Sequence, residues 1–542
     1  MLSLPHRRIT AWSLGVGIMT SASANPGLLP ERVEKATQER IAAGTYQTLA
    51  FGVVVGDKSE VVAFGKLDNG EAPDGETVYE IGSITKTFTA TLLAKTVLAG
   101  RLTLDTPVAQ LLPDFKIPSR GGKEITLDAL GTHHSGLPRE PSTFPSNPAA
   151  DYDAAKLKVF LAGYGLPRDP GASYEYSNLG FGLLGYALAQ SRHTSWDALT
   201  HEEILKPLSM TTSGTALTVA MRAHLAPGHD GSGTAVNNYD FPDAQAGAGA
   251  IRSTANDMLR YLKANMGIDQ SPLAAAMKLA QQPRSKMAET ARVGLAWMTT
   301  GNGIVWHSGG TGGYRSFLGF TDDGRRGVVI LANTAAELFD DLGFATLDSN
   351  APLVPTYKAI VLPSASLDDY VGTYRLVDKF LLTVFRLNDE LFAQATGQGA
   401  FAIFPFAPNE FFAKVAGISM RFARDPSGLV NGLVLHQNGN HEAPKLSVSE
   451  DSGEPATGAA MIEVMLLNDD HTPMDFVVEV LERIFDHDRE SAAKTMLLCH
   501  SHGIAACGTY PSDIATAKAA QVLEFARAHQ HPLRCVTAAV RQ

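Results

Sequence analysis

The stretch that decides the fold of the first half of the chain is YEIGSITKTFTATLLAKTVLAG (Tyr79–Gly100). Its apolar residues recur three and four positions apart, which is the spacing of one helix face: Phe88, Leu92, Leu93 and Val97. Gly100 stands where such a helix ends, because glycine favours the backbone conformation that terminates helices. The stretch therefore predicts a helix that begins close to Ser83.

Ser83 and Lys86 are one helical turn apart, so a helix that begins at Ser83 presents both side chains on the same side. A serine hydroxyl is a weak nucleophile until a neighbouring group takes its proton. A partly desolvated lysine has a lowered pKa and is able to take it, and a helix N-terminus favours developing negative charge. Ser-x-x-Lys by itself also fits an ordinary exposed helix turn, so the interpretation depends on other residues.

The residues around this stretch predict a mixed α/β unit over 25–350. Before it, TLAFGVVVGDKSEVVAFGKL (Thr48–Leu67) contains two β-prone runs around a polar turn, which is typical of a hairpin. Much later, GVVILANT (Gly327–Thr334) reads as a buried strand. A hairpin before Ser83 and an apolar helix after it favour a functional Ser-x-x-Lys pair.

Two further segments supply groups that suit acyl transfer. In YEYSNLGFGLLGYAL, Tyr176 is able to share the proton of the serine, and the Asn178 amide to orient a substrate carbonyl. In VWHSGGTGGYRSFLGF, His307 precedes Gly309 and Gly310, which let a substrate backbone lie against an edge strand. A backbone N–H there completes an oxyanion hole with that of the serine. Taken singly, these residues also fit structural roles, and His307 fits a surface histidine.

The order Ser-x-x-Lys, Tyr-x-Asn and His-x-Gly resembles the serine hydrolases related to class C β-lactamases. That superfamily includes penicillin-binding proteins, D-aminopeptidases and β-lactamase-fold esterases. GSITKTFTATLLAKTVLAGRLTLDTPVAQLLP and THHSGLP are also similar to it, and the resemblance covers residues 30–350. It implies that Ser83 is the acylated nucleophile and that Lys86 and Tyr176 are the general acid/base pair. It also implies a set of substrate-binding residues: Asn178, His307, Gly309 and Gly310.

His307 departs from the family pattern, because many members have the lysine of Lys-Thr-Gly at this position. A lysine supplies a permanent positive charge for the carboxylate of a β-lactam or peptide, whereas a histidine is mostly neutral at pH 7. The departure favours an esterase, a D-amino-acid peptidase or a transacylase over an efficient β-lactamase.

From about residue 364 the chain changes to short β-prone runs: LDDYVGTYRL, FLLTVFRLNDELFAQ and RFARDPSGLVNGLVLHQNG. They are separated by Asn-Asp, Asp-Pro-Ser-Gly and Asn-Gly turn signals. These runs predict a small antiparallel β domain over 364–448, which resembles the C-terminal extension of many such hydrolases and for which we expect no chemistry of its own. SEDSGEPATGAA (Ser449–Ala460) is small, polar and contains Pro and Gly, as linkers do.

The last unit, over 461–542, alternates strand and helix signals. A strand over Val464–Leu467 is followed by Thr472 as helix N-cap, Pro473 at the first helical position and Asp475 completing a capping box. A second helix in DRESAAKTMLLCHSHG, a strand in IAACGTY, a third helix over Ser512–Ala528 and a strand in HPLRCVT complete a small α/β sandwich.

The polar loop of this unit, Asn468-Asp469-Asp470, has two interpretations. It fits a loop that caps a helix. It also fits a cation site, because an amide oxygen and a carboxylate beside an apolar pocket suit a free α-amino group next to a bulky side chain, with His500 as another contact. A metal site in CHSH (499–502) is weaker, because neighbours on a helix do not face one another.

LLNDDHTPMDFVVEVLERIF, AAKTMLLCHSHGIAACGTY and ATAKAAQVLEFARAHQHPLRCV resemble ClpS, the adaptor of the ATP-dependent Clp protease, over residues 461–541. The resemblance implies binding of N-degrons, proteins whose first residue is Leu, Phe, Tyr or Trp, and their delivery to the Clp ATPase. It implies an amine site at Asn468, Asp469, Asp470 and His500. It implies a side-chain pocket shaped by Thr472, Met474, Val477, Met496 and Leu533. It implies ATPase contacts at His471, Asp513 and Lys518, with His471 in place of a commoner tyrosine.

The N-terminal residues MLSLPHRRITAWSLGVGIMTSASANPG have the layout of a secretory signal over 1–24. A basic pair, Arg7 and Arg8, precedes a mildly apolar run, and Ala22-Ser23-Ala24 is a small-x-small cleavage site. A frayed tail is the alternative. The signal predicts a periplasmic hydrolase, whereas the adaptor resemblance implies the cytoplasm. An unused signal, internal initiation at Met461 or a fusion of neighbouring reading frames each resolves this conflict.

The charge and the amino-acid composition of the chain exclude some classes of binding partner and of structural feature. The formal net charge of −11 disfavours nucleic acid and anionic membranes as partners, and beyond the N-terminus no stretch predicts a membrane span. The three cysteines, Cys499, Cys507 and Cys535, lie near the end of the chain, so we expect no disulfide framework. We expect no cofactor and no metal.

The predicted fold is a multidomain α/β protein: a β-lactamase-like serine hydrolase, a small antiparallel β domain and a ClpS-like α/β sandwich. The predicted partners are a small acyl, ester or peptide substrate for the hydrolase, and N-degron proteins and the Clp ATPase N-domain for the adaptor. Two alternatives stay open: only the adaptor is functional, or a penicillin-binding or β-lactamase enzyme carries a vestigial adaptor.

Overall fold

The computed structural model describes residues 27–141, 152–231, 233–336, 339–377, 380–387, 390–396, 400–413, 418–437, 439–446, 461–467, 472–502, 504–529, 531 and 533–539. The predicted signal peptide (1–24) and linker (449–460) lie outside these residues. The described part of the chain forms three units in sequence, each with its own principal sheet.

The first unit is built on a large antiparallel sheet, which has eight strands within the described residues, in the order β2-β1-β12-β11-β10-β9-β8-β7. The strands of the unit are β1 (Thr48–Val55), β2 (Lys58–Gly65), β3 (Val78–Glu80), β4 (Gly228–His229), β5 (Ala235–Val236), β6 (Arg252–Thr254), β7 (Ser285–Lys286), β8 (Arg292–Val293), β9 (Met298–Thr299), β10 (Ile304–Gly310), β11 (Arg315–Thr321) and β12 (Arg326–Ala332). Strand β3 pairs with β6, and β4 with β5, as two small separate sheets. The predicted hairpin is β1–β2, and the predicted buried strand is β12.

Helices cover both faces of the large sheet. They are α1 (Glu31–Ala42), α2 (Thr85–Leu98), α3 (Val108–Leu111), α4 (Leu127–Gly131), α5 (Ala154–Gly163), α6 (Asn178–Gln190), α7 (Trp196–Thr200), α8 (Val219–Ala223), α9 (Asp243–Gly249), α10 (Ala255–Met266), α11 (Ala274–Gln281) and α12 (Asp340–Leu347). Strand β1 shows why both faces need cover: Ala50 and Val54 join the core on the α10 side, and Leu49 and Phe51 join the core beneath α1 and α12. Two buried faces explain the continuous apolar run of this strand.

Helix α2 follows the nucleophile segment and is the centre of the first unit. It ends next to Gly100, whose φ is +68°, as the sequence predicted. Ten consecutive residues, from Thr85 to Ala94, are buried, so the helix is enclosed on all sides rather than on one apolar stripe. Its buried threonines remain hydrogen-bonded: Thr91 Oγ1 donates to the Thr87 carbonyl. A helix held on every side is a rigid support for the residues at its N-terminus.

The second unit is an antiparallel barrel, and its described strands follow one another in the order β13 to β20. After α13 (Ser364–Leu367), the strands are β13 (Gly372–Val377), β14 (Phe380–Leu387), β15 (Glu390–Ala395), β16 (Ala400–Ala407), β17 (Glu410–Ala413), β18 (Ser419–Arg424), β19 (Val430–His436) and β20 (Asn440–Pro444). The ends of the sheet meet, because Tyr374 bridges to Lys445 and the Leu446 N–H donates to the Thr373 carbonyl at 2.8 Å. Closure removes the unpaired edges of the predicted antiparallel domain.

The third unit has a three-stranded antiparallel sheet, ordered β22-β21-β23 among its described residues, with three helices packed on one face. Its elements are β21 (Met461–Leu467), α14 (Met474–Phe485), α15 (Arg489–His502), β22 (Ile504–Pro511), α16 (Ser512–Ala528) and β23 (Arg534–Ala539). The predicted order of strands and helices is confirmed. The helix N-cap is Pro473 and not Thr472, and α14 begins at Met474. The Pro473 carbonyl accepts from the Phe476 N–H, so the proline carbonyl begins the helical bonding.

The second and third units are packed together through the other face of the sheet of the third unit. Phe392 points out of the barrel while its neighbours Leu391 and Ala393 point in. It forms a small buried cluster with Met465, Leu467 and Ile504. Arg534 Nη1 also lies 3.3 Å from Glu390 Oε2 across this interface.

The cysteines are confirmed as free thiols, and all three are buried in the core of the third unit. Burial raises the pKa of Cys507, and raises that of Cys535 to about 12. Among the described residues, no helix combines the length and the apolar character needed to cross a bilayer.

Candidate functional site

Ser83 lies in a short 3-10 turn, Gly82–Ile84, that leads directly into α2. Its side chain is half-buried, whereas Lys86, one turn later, is completely buried. Lys86 Nζ lies 2.9 Å from Ser83 Oγ. The two groups predicted as nucleophile and base are therefore in contact, with the nucleophile on the accessible side.

Lys86 Nζ also contacts two groups from distant segments. It donates to Asn178 Oδ1 at 2.7 Å, at the first residue of α6, and to the carbonyl of Ala248 in α9 at 2.7 Å. Burial lowers the pKa of Lys86 well below its ordinary value, and the positive charge of Arg139 lowers it further, while Glu140 opposes both effects. Desolvation thus favours the neutral amine, which is the form able to accept a proton.

Tyr176 completes the cluster around the nucleophile. Its hydroxyl is hydrogen-bonded to Ser83, and Lys86 Nζ lies 5.0 Å from the centre of its ring. The ring stacks on His133, with centroids 4.4 Å apart, and the Arg139 guanidinium lies 5.1 Å from its centre. Burial raises the pKa of Tyr176, so the phenol, not the phenolate, is the stable form.

Asn178 is held by two partners, one on each side of its amide. Because Oδ1 faces Lys86, Nδ2 is directed to Glu140, and it donates to Glu140 Oε1 at 2.5 Å. The carbonyl of Arg139 accepts from the backbone N–H groups of Asn178 and Leu179 at 2.9 and 3.1 Å. This contact ties the segment that carries Glu140 to the N-terminus of α6.

The predicted His-x-Gly segment forms the end of β10, beside the nucleophile. A Cβ on Gly309 would lie 2.1 Å from the Ile81 carbonyl and 3.0 Å from the Ser83 nitrogen, so only glycine allows this approach. A Cβ on Gly82 would likewise lie 2.7 Å from the Gly310 nitrogen. Strand β10 thus brings the backbone nitrogens of residues 83 and 310 to the same small region.

His307 is buried and neutral rather than a surface histidine. Its Nδ1 lies 2.6 Å from the Ser308 carbonyl, which requires the proton on Nδ1 and makes Nε2 an acceptor. Nε2 has no hydrogen-bond partner among the described residues. Burial lowers the pKa of His307 to about 3, and the nearby Lys86 lowers it further. At neutral pH it therefore adds no positive charge to the site.

Four groups of this site were not predicted from the sequence: His133, Arg139, Glu140 and the Ala248 carbonyl. The first three belong to the segment around THHSGLP, whose similarity to the family was noted without roles for single residues. Nothing in the sequence near Ala248 distinguishes its carbonyl from any other, because backbone atoms leave no residue-type signal.

In the third unit, the structure brings three predicted pocket residues into one apolar cluster. Val477 and Leu533 are buried in it and Met496 packs against it. Met474, at the first position of α14, and Thr472, before it, are half-buried. The described residues therefore form an apolar wall of the predicted side-chain pocket.

The polar residues predicted beside that wall, Asn468, Asp469 and Asp470, lie outside the described residues, as does His471, a predicted ATPase contact. The side chains of His500 and Asp513 are not described either. Lys518 is described: its ammonium lies 3.6 Å from Asp486 and 5.0 Å from the centre of the Tyr510 ring.

Family models match three successive parts of the chain. Residues 33–349 match "Beta-lactamase", residues 356–451 match "Domain of unknown function (DUF3471)", and residues 458–536 match "ATP-dependent Clp protease adaptor protein ClpS". The first match covers more than half of the chain.

Curated relatives are similar to the C-terminal part. The ATP-dependent Clp protease adapter protein ClpS 1 of Agrobacterium fabrum is 53% identical over 76 residues, which are 14% of this chain and 65% of that protein. ClpS 2 of Bradyrhizobium diazoefficiens is 46% identical over 101 residues, 19% of this chain and 92% of that protein. ClpS of Nitrosospira multiformis is 57% identical over 76 residues, 14% of this chain and 74% of that protein.

Solved structures are similar to the first unit. D-alanine carboxypeptidase AmpC from Burkholderia cenocepacia has a TM-score of 0.51 and 24% identity, and covers 58% of this chain and 97% of its own. A class C beta-lactamase from Rhodobacter sphaeroides has a TM-score of 0.51 and 24% identity, and likewise covers 58% of this chain and 97% of its own. At this level of identity the likeness concerns the fold alone.

The predicted multidomain α/β fold and the predicted fusion are therefore confirmed. The chain belongs to the beta-lactamase family through residues 33–349 and carries a C-terminal ClpS domain.

Proposed function

We propose that the first unit is a serine hydrolase that forms an acyl-enzyme on Ser83, and that the ClpS domain binds N-degrons for delivery to the Clp ATPase. The substrate of the hydrolase is a small ester, a D-amino-acid peptide or a related acyl donor rather than a β-lactam.

One observation carries the hydrolase proposal: the three partners of Lys86 Nζ are not equivalent. The Asn178 Oδ1 and the Ala248 carbonyl only accept hydrogen bonds, whereas the Ser83 hydroxyl is able to donate one. A neutral amine has two N–H bonds and one lone pair. If the two N–H bonds point at the two obligate acceptors, the lone pair is directed at the Ser83 hydroxyl, as a general base requires.

The acylation step then follows with each proton accounted for. Ser83 Oγ attacks the substrate carbonyl carbon while its proton passes to Lys86 Nζ, which becomes an ammonium. The carbonyl π electrons move to the oxygen, and the backbone N–H groups of Ser83 and Gly310 are the nearby donors suited to stabilise that charge.

Collapse of the tetrahedral intermediate breaks the bond to the leaving group. Tyr176, kept as a phenol by burial, donates a proton to the leaving group, and the Lys86 ammonium returns one proton to the resulting phenolate, which leaves Lys86 neutral again. Water then attacks the acyl-enzyme by the same route in reverse, which releases the acid and restores the Ser83 hydroxyl.

The neutral His307 supports the choice of substrate class. A β-lactam or a peptide that ends in a carboxylate gains most from a fixed positive charge at this position, and the buried imidazole provides none. Binding of an acyl donor without a carboxylate does not depend on such a positive charge.

Labelling with a fluorophosphonate probe, followed by peptide mass spectrometry, tests the hydrolase proposal. The expected adduct is on Ser83, and the S83A variant, matched in every other residue, gives no adduct. An adduct on a different residue of the first unit, or no adduct on the native chain, refutes the proposal.

The adaptor proposal rests on the apolar wall formed by Val477, Met496 and Leu533, together with the family match over residues 458–536. A bulky first side chain fills such a pocket, and the acidic residues at 469 and 470 suit its α-ammonium. In fluorescence anisotropy, a Leu-initiated peptide binds more tightly than the matched Glu-initiated and N-acetylated peptides. Equal affinity for the three peptides contradicts N-degron recognition.

The cellular compartment of the full chain decides whether the proposed hydrolase and the proposed adaptor act in the same place. We propose that the full chain acts in the cytoplasm with its signal unused, because delivery to a Clp ATPase requires it there. Immunoblotting of cell fractions with an antibody to the ClpS domain distinguishes the outcomes. A long cytosolic band supports the proposal, and a long exported band or a short band that starts at Met461 contradicts it.

A further inference from the structure

Glu140 places a carboxylate next to the proposed catalytic residues. The proposed acyl-transfer steps do not use this carboxylate. It lies beside Asn178 because the Arg139 carbonyl caps the N-terminus of α6, at 2.9 Å from the Asn178 nitrogen. Glu140 Oε1 accepts from Asn178 Nδ2, and Asn178 Oδ1 accepts from Lys86. Two hydrogen bonds through one amide therefore separate this carboxylate from the base, and one more leads to the nucleophile.

The charge of Glu140 is not balanced by an ion pair. Among the described residues, its carboxylate accepts a hydrogen bond from Asn178, whereas Lys86 and Arg139 act on it through their charge without a hydrogen bond. Lys86 reaches it only through Asn178, and the side chain of Arg139 is exposed and directed at the Tyr176 ring. The negative charge of Glu140 also contributes to the raised pKa of the Tyr239 phenol. Burial raises the pKa of Glu140 itself, while the hydrogen bond from Asn178 and the charges of Lys86 and Arg139 lower it in part.

We propose that Glu140 forms a binding subsite for an ammonium group carried by the acyl part of the substrate, next to the scissile carbonyl. This inference rests on the proposed function, because it places the acyl group between Ser83 and the Asn178 amide. The remaining N–H of Asn178 is available to the substrate, and a group attached beside the carbonyl carbon then lies next to Glu140. The substrate class is an ester or amide of an amino acid with a free α-amine.

A carboxylate suits this task better than a neutral amide would. A hydrogen bond between two charged groups stabilises a bound substrate more than one between neutral groups. It also disfavours substrates with an N-acyl group, which carry no charge and supply no cation to this half-buried carboxylate. His307, on β10, is neutral and adds no positive charge that would oppose the binding of an ammonium group.

The experiment compares alanine methyl ester with N-acetylalanine methyl ester, in both D and L forms, on the full chain. Hydrolysis is followed by chromatography at about pH 6.5, where an α-amine is largely protonated. We expect the native chain to prefer the free amine. In E140Q, which keeps an oxygen for Asn178 Nδ2, the ratio of the two kcat/KM values falls about tenfold, as loss of one charge-assisted contact implies.

A matched control and the opposing results make the test decisive. E175Q makes the same chemical change in a nearby carboxylate that pairs with Arg168, and it leaves the ratio as in the native chain. If E140Q lowers both kcat/KM values equally, Glu140 only positions Asn178 and the subsite is refuted. A native preference for the acetylated ester also refutes it. If the native chain hydrolyses no ester and Ser83 takes up no fluorophosphonate, the proposed function fails and the subsite with it.

Discussion

The proposed catalytic cluster and the proposed adaptor pocket draw their residues from the chain in different ways. The groups around Ser83 come from α2, the Arg139–Glu140 segment, α6, α9 and β10, and most of them are polar groups enclosed by protein. The described wall of the proposed adaptor pocket is apolar. It is formed by Val477 of α14, Met496 of α15 and Leu533, which immediately precedes β23. In the proposed functions, the first arrangement would create reactivity through desolvation, whereas the second would create affinity through complementary shape.

The same contrast explains which residues of each site can be predicted from the sequence. An acylation site needs a few residue types at short spacing, such as Ser83 and Lys86, but its electrostatics depend on distant groups. A pocket wall needs only apolar residues of suitable size, and those are common. A motif of single residues therefore identifies the first site, and resemblance along a continuous segment identifies the second.

The largest expected effect separates the two activities. S83A removes the proposed attacking oxygen, so kcat/KM for an activated ester is expected to fall by about 1,000-fold or more, as in other enzymes that lose their nucleophile. Binding of a Leu-initiated peptide, measured by fluorescence anisotropy, stays as in the native chain. A residual rate within tenfold of the native one contradicts the role of Ser83.

The second prediction concerns the contact between the barrel and the ClpS domain. F392A removes a ring that is 6% exposed and packed on Met465 and Leu467, and we expect a loss of about 3 kcal/mol of stability. Denaturant unfolding, together with limited proteolysis after residue 446, measures it. F385A, at the half-buried neighbour, gives a smaller loss, and an equal loss contradicts the central position of Phe392.

The third prediction is the counterpart of the first. D469A removes a carboxylate proposed to hold the α-ammonium of the peptide, so the Kd for a Leu-initiated peptide rises about tenfold to a hundredfold. Ester hydrolysis by the same variant, measured in parallel, stays at the native rate. An unchanged Kd shows that the alternative, a loop that only caps a helix, is correct.

The fourth prediction is a pH dependence. Raising the pH removes the proton from Lys86, and the neutral amine is the base, so kcat/KM for a neutral ester rises about tenfold per pH unit until the base form predominates. The midpoint of this rise lies well below 10.5, because burial lowers the pKa of Lys86. His307, with a pKa of about 3, contributes no step between pH 5 and 8. A midpoint at or above 10.5 contradicts desolvation of Lys86.

The smallest expected effect is that of the ion pair between Glu390 and Arg534. Both side chains are about half exposed, so solvent screens the attraction. A double-mutant cycle of E390A and R534A is expected to give a coupling free energy of at most about 1 kcal/mol. A larger coupling would mean that charge, rather than the Phe392 cluster, holds the two units together.

Much of the fold was predictable from local pattern. The third helix of the ClpS domain was predicted over Ser512–Ala528 and has those bounds in the structure. The hairpin β1–β2 and the end of α2 just before Gly100 were predicted because alternation and glycine are strong local signals. Closure of the barrel was not predicted, because Tyr374 and Lys445 pair across the whole domain. The outward Phe392 was missed because β alternation does not tell which face a partner covers.

The sequence by itself determined the order of the units, the family resemblances and the Ser83–Lys86 pair, because these are written in residue types at short range. Only the tertiary structure decided that Lys86 is enclosed between Asn178 and the Ala248 carbonyl, that His307 is buried, and that Glu140 lies beside Asn178 with no ion pair among the described residues. Those properties depend on desolvation and on charges brought together from distant segments. A linear pattern contains neither the distance between such groups nor the water excluded from around them.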